Sequence, residues 1–159
     1  MTRRREKIIQ AATGYNLISP EKPLAAFIDL EMVEENIKNL KSAFPRSFQH
    51  TFAMKANCLK KINELIKTLG LGCEVASPGE MLQAEQLGFR GDEVVFDSPA
   101  KSREDIFHAL GSGYILNIDN FQEFERVRSQ LKHIIPQVSK IGFRINPQIG
   151  AGKIEAMST

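Results

Sequence analysis

Lys55 is the residue in this chain best placed for covalent chemistry. Residues 50–54 (HTFAM) make a short β-type run that delivers the lysine to its far end, and a polar turn follows. From Leu59 the pattern turns helical: Leu59, Ile62, Ile66 and Leu69 fall on one stripe, which Gly70 stops. A lysine at the carboxyl end of a strand in a strand–helix unit sits where α/β barrels carry their chemistry. A partly desolvated amine there loses its proton more readily and can attack an aldehyde to form an imine. The competing reading is an ordinary surface lysine, against which stands its position directly after an apolar strand.

Three further charged residues lie where strand ends should converge. Arg144 interrupts the apolar run 141–145. Burying a guanidinium unpaired costs several kcal/mol, so it is expected to point into a polar site. Glu74 lies within the run 72–75, either paired with any nearby cation or acting on Lys55. Glu80 closes the sequence Ser77-Pro78-Gly79-Glu80, a capping box with proline at the first helical position, and capping accounts for it without further function.

Positioning these residues falls to a pattern that repeats every twenty-odd residues from His50 onward. A short apolar run is followed by a turn and then an amphipathic helix. The runs are 50–54, 72–75, 94–96, 114–117 and 141–145. Helix starts are marked by Ser77 with Glu80, Ser102 with Asp105, and Asp119 with Gln122. The helices present Met81, Ala84 and Leu87, then Ile106, Phe107 and Leu110, then Phe121, Phe124, Val127 and Leu131. Alternating units of this length predict an α/β fold with a parallel sheet and helices outside it. Periodicity alone leaves a barrel and an open doubly wound sheet both available. Upstream, residues 2–12 predict a short helix and residues 14–23 an irregular lead-in. Residues 25–28 predict an apolar strand, and Asp29 caps a helix bearing Val33, Ile37, Leu40 and Phe44.

Composition excludes several classes. The chain has 159 residues, 42% hydrophobic and 25% charged, with net charge +2. That balance gives no electrostatic argument for nucleic acid. The basic cluster Arg3 to Arg5 is followed by Glu6 and by no apolar stretch, so it reads as a solvated first helical turn and not as a secretory signal. No segment is apolar enough to span a bilayer. Cys58 and Cys73, with three scattered histidines, lack metal-site spacing and predict reduced thiols in a cytoplasmic protein with no metal. Neither a dinucleotide fingerprint nor a phosphate-binding P-loop is present. Gly150-Ala151-Gly152-Lys153 reads as a loop more readily than as a phosphate cradle.

FAMKAN (residues 52–57), CEVAS (73–77) followed by Glu80, and FRINP (143–147) occur in this order. Together they resemble the fold-type III pyridoxal-phosphate-dependent decarboxylases, the superfamily of ornithine, diaminopimelate and arginine decarboxylases. The resemblance covers nearly all of the chain after about Pro23. It implies an alanine-racemase-like (β/α)8 barrel, of which about five strand–helix units would be present. It implies pyridoxal 5'-phosphate held by Lys55 as an internal aldimine, with Glu74, Glu80 and Arg144 at the cofactor. Glu74 stands where ornithine decarboxylases place an aspartate beside the lysine, and there it would hold Lys55 protonated or steer its proton transfers.

The same resemblance divides the chain into residues 1–24, a helix and irregular lead-in, and residues 25–159, a partial cofactor-binding barrel. The strand at 25–28 would belong to the β-rich domain of the full enzyme. A complete barrel takes about 250 residues, so a chain of 159 is expected to be the N-terminal portion of a larger homodimeric enzyme acting on a small amino acid. The histidine, glycine-rich loop and other groups that such enzymes use would lie beyond Thr159. The alternative is a remnant or cofactor-binding homologue without decarboxylase activity. RINPQIGAGKI (144–154) is nearest to the diaminopimelate branch, although the threonine-histidine segment expected after the NP pair is missing.

Overall fold

The computed structural model describes residues 2–133 and 140–145. The chain divides into two compact units, Met1–Leu40 and Lys41–Thr159.

In the first unit, α1 (Thr2–Gly14) is followed by a turn closed by a bridge between Ser19 and Lys22. The chain then runs without regular structure to α2 (Leu30–Ala43), which continues into the second unit. Asp29 caps α2 as expected: its carboxylate accepts the Met32 N–H at 3.1 Å and its carbonyl accepts the Val33 N–H. The basic cluster is not wholly solvated, because Arg4 bonds to Asp29 at 2.9 Å and to Glu31 at 2.6 Å. Residues 25–28 do not form the expected strand. A strand exists only through a partner, and no described strand pairs with this run.

The second unit holds one parallel sheet of five strands: β1 (Thr51–Ala53), β2 (Gly72–Val75), β3 (Val94–Phe96), β4 (Ile115–Ile118) and β5 (Ile141–Phe143). Between them run α3 (Lys60–Thr68), α4 (Pro78–Gln86), α5 (Arg103–Gly111) and α6 (Phe121–Gln130). Each strand lies beside its predecessor, in the order β1-β2-β3-β4-β5. A doubly wound sheet reverses its strand order at a switch point; this one does not, and the sequential order is that of a barrel wall.

Alternation along the strands divides the two faces. Cys73, Val75, Val94, Phe96, Leu116 and Ile118 pack with Met81, Ala84, Ile106, Ala109 and Leu110 from the helices. Fully burying a side chain of this kind contributes roughly 1.5–3 kcal/mol, so the helix-covered face holds the sheet together. The opposite face carries Ala53, Glu74 and Val95 in cross-strand register, with Asn117 beside Gly142. Phe107 and Phe121, expected on the buried stripes, are 52% and 88% exposed. Phe121 occupies the first position of α6, before its buried face begins, and Phe107 follows the buried Ile106 one step around α5.

Local signals fix where the helices begin and end. Gly70 takes φ +74°, the left-handed conformation that ends α3. The Ser102–Asp105 capping box forms reciprocally. At α6 the cap is Asn120, which accepts the Glu123 N–H at 2.8 Å, one residue beyond the expected Asp119 with Gln122. Gly72 is required by close approach: a Cβ there would meet the Glu93 carbonyl and lie 3.2 Å from the Thr51 methyl.

Candidate active site at the carboxyl edge of the sheet

Lys55 follows β1 within a short 3-10 turn, Met54–Ala56. Met54 is fully buried and anchors the turn, while the Lys55 side chain is 62% exposed. The turn is held on all sides. Asn57 N–H bonds to the Met54 carbonyl at 3.1 Å, and Leu59 N–H bonds to Asn57 Oδ1 at 3.1 Å. Gln83 donates to the Cys58 carbonyl at 2.8 Å. The buried Asn63 side chain of α3 donates to the carbonyls of Asn57 and Leu59, at 3.0 and 3.1 Å.

Because Ala53 is paired in register with Glu74, the neighbouring strand places that carboxylate beside the lysine, Nζ to Oε1 at 3.2 Å. An exposed pair of this kind contributes at most about 1 kcal/mol. Its consequence is orientation: the amine is held toward the open face of the sheet, with a proton acceptor in reach.

Arg144 lies at the other end of the same edge. It stands just past β5 instead of inside it, and its side chain is 45% exposed. Its N–H bonds to the Ile118 carbonyl at 2.8 Å, which carries the ladder one residue past the strand. The polar site expected for this guanidinium consists of two carboxylates at the ends of the neighbouring strands: Nη1 is 3.5 Å from Asp119 and 3.8 Å from Asp97. Asn117 donates to the other Asp97 oxygen at 3.3 Å. Asp97 Oδ1 is buried and makes no hydrogen bond.

Lys55 and Glu74 are therefore brought together, whereas Arg144 sits on the far side of three intervening strands. Glu80 turns back on its own helix start: its carboxylate accepts the Ala76 N–H at 2.6 Å, and its N–H bonds to Ser77 Oγ at 3.3 Å. Asp97 and Asp119 were not singled out as site residues from the sequence. Their signal was available, since each directly follows an apolar strand, as in VVFD and ILNID.

Residues 30–159 match the family described as pyridoxal-dependent decarboxylase, pyridoxal binding domain. The chain belongs to this family.

Diaminopimelate decarboxylase of Methanothermobacter thermautotrophicus is 32% identical over 131 residues, covering 80% of this chain and 30% of that protein. Among solved structures, diaminopimelate decarboxylase from Helicobacter pylori complexed with L-lysine aligns with a TM-score of 0.70 at 28% identity, over 76% of this chain and 31% of that one. Lysine decarboxylase from Selenomonas ruminantium aligns with a TM-score of 0.62 at 27% identity, over 75% of this chain and 30% of that one. The chain thus spans about 30% of the length of the curated relatives it matches. The five sequential strands correspond to the N-terminal part of the barrel of these decarboxylases.

Pyridoxal 5'-phosphate is the cofactor of the family, and the residues at this edge fit it. The cofactor presents an aldehyde, for which an exposed amine steered by a carboxylate is a chemically matched partner. The glycine-rich stretch at 150–153 lies outside the described residues, as do Asn146 and Pro147 of the third motif.

Proposed function

We propose that this chain forms the cofactor-holding part of a pyridoxal-phosphate-dependent decarboxylase of α-amino acids, of the diaminopimelate or ornithine type, with Lys55 as the covalent anchor. One observation carries the reading: an exposed lysine at the carboxyl end of the first barrel strand, 3.2 Å from Glu74 on the second. When bound, pyridoxal phosphate supplies an electron sink for the carbon that loses its carboxylate. Lys55 Nζ would bond to the aldehyde carbon, whose oxygen would leave as water. Glu74 orients Nζ and takes or returns its proton as the amine changes partner. Arg144, bracketed by Asp97 and Asp119, would present its guanidinium at the same edge, and Glu80 shapes the turn at 76–80 after β2.

A cytoplasmic setting agrees with the two free thiols, Cys58 and Cys73, of which burial pushes the second up to about 12. A homodimer agrees with the family resemblance.

Borohydride reduction of the protein with pyridoxal phosphate, followed by peptide mass analysis, tests the anchor. The label is expected on Lys55 and is expected to vanish in Lys55→Ala, and equal labelling of that variant would refute the assignment. Carbon dioxide release from lysine, ornithine, arginine and diaminopimelate, measured on the full-length parent protein, then separates the readings. Release that depends on Lys55 supports the decarboxylase, and a label without release supports a cofactor-binding homologue.

A further inference from the structure

A buried ion pair joins the loop after β3 to α6. Lys101, in the loop after β3, and Glu123, in the first turn of α6, have no exposed side-chain surface, and Nζ stands 2.7 Å from Oε1. Taking two charges out of water costs heavily, and an apolar pair of similar volume serves stability as well or better. What a charged pair adds is direction, and here the direction is specific. Lys101 Nζ also donates to the Ser98 carbonyl at 2.6 Å, and the Lys101 carbonyl accepts from Arg126 at 2.8 Å. The Glu123 N–H is fixed by the Asn120 side chain at 2.8 Å. Ser98 directly follows Asp97, and Asn120 directly follows Asp119. Asp97 is therefore one residue away from a carbonyl held by the buried pair itself, whereas Asn120 meets Glu123 only through its backbone N–H.

We infer that Lys101, held by Glu123, is a positioning residue that fixes Asp97 where it faces Arg144. The cofactor readout below rests on the proposed function; the direct readout does not. The test compares the intact protein with Lys101→Met/Glu123→Leu, Arg144→Ala and the triple variant, by titration with pyridoxal phosphate. Arg144→Ala is expected to weaken binding about tenfold, and the double variant to weaken it comparably. The triple variant is expected to lie within about twofold of Arg144→Ala alone, the signature of groups acting through one another. Losses that multiply would overturn the inference, because a pair acting only on overall stability does not depend on Arg144.

The direct readout is the guanidinium nitrogen resonance of Arg144, identified by its loss in Arg144→Ala. It is expected to move in the double variant, and an unmoved resonance overturns the inference. If Arg144→Ala leaves cofactor affinity unchanged, the placement of Arg144 at the cofactor is wrong, and the resonance alone decides the positioning role. If the double variant does not fold, Glu123→Gln carries the same resonance measurement, since it keeps the shape of the pair and removes one charge.

Discussion

At the scale of single residues, the segment that carries the anchor is clamped from its buried side by Asn63. Its amide nitrogen serves two carbonyls of the turn, while Oδ1 is buried without a partner. Asn63→Asp replaces the donor by a second oxygen facing those carbonyls. The substitution is expected to cost about 3 kcal/mol at neutral pH, more than Asn63→Leu, which leaves no buried charge. The new carboxyl would be neutral-favouring in the fold, so its pKa would be raised and the deficit would shrink as pH falls and the acid regains a proton to donate. Urea unfolding at neutral and acid pH checks this, and an Asp variant no less stable than the Leu variant would count against it. Lys55 and Glu74 were legible in the sequence because each sits in a motif at a strand end. Asn63 was not, because an asparagine beside Ile62 carries no mark that distinguishes a buried clamp from a solvated helix residue. Arg144 was legible as a cation needing a polar site, but the identity of its partners depended on which strands become neighbours.

At the scale of elements, the strands and helices follow the apolar periodicity within a residue or two, because each unit is closed by local signals such as Gly70 and the Ser102–Asp105 box. The failure at residues 25–28 has the opposite cause, since strand formation there needs a partner that no local pattern reveals. Strand proximity gives a further expectation at Gly72, where an added methyl would press on the Glu93 carbonyl backbone. Gly72→Ala is expected to destabilise by about 1–3 kcal/mol by forcing β2 and the turn before β3 apart; a thermal midpoint unchanged from wild type would contradict this.

A second element contact joins α4, α5 and the residue just before β4. Glu85 Oε1 accepts from Tyr114 at 2.7 Å and lies 2.5 Å from His108 Nε2. Burial raises the Glu85 pKa, but the hydrogen bonds from Tyr114 and His108 and the charge of His108 together outweigh it, and the net shift is downward. A carboxylate with a lowered folded pKa contributes stability above its unfolded value and loses it as pH falls through the folded one. Glu85→Gln is therefore expected to flatten the stability loss below the ordinary carboxylate range. An unchanged acid slope in urea titrations would show that the contact contributes nothing.

At the scale of the whole molecule, β1 and β5 are each paired on one side only among the described residues. Unpaired parallel edges with large apolar side chains nearby favour association; Phe143 is 62% exposed and Ile145 is 82% exposed. The 159-residue chain in isolation is expected to show an apparent mass that rises with concentration in sedimentation. A single monomeric species across the concentration range would indicate that its edges are already covered. The sequence could indicate five units but not their closure, because barrel and open sheet share the same local pattern and differ only in strand order.

That strand order also carries a temporal consequence. Each strand binds the one made just before it, so the sheet can grow in the order of synthesis, as domains emerging at about 5–20 residues per second do. Gly72 pairs with Thr51, and Val94 with Cys73, so neither pairing calls on sequence beyond the next unit. The Lys55–Glu74 pair calls only on β1 and β2, whereas the arginine that faces Asp97 and Asp119 is translated about seventy residues later. A ribosome stalled between β2 and β5 would already display the amine and its carboxylate, so an aldehyde could be captured by the nascent chain before the other end of the edge exists.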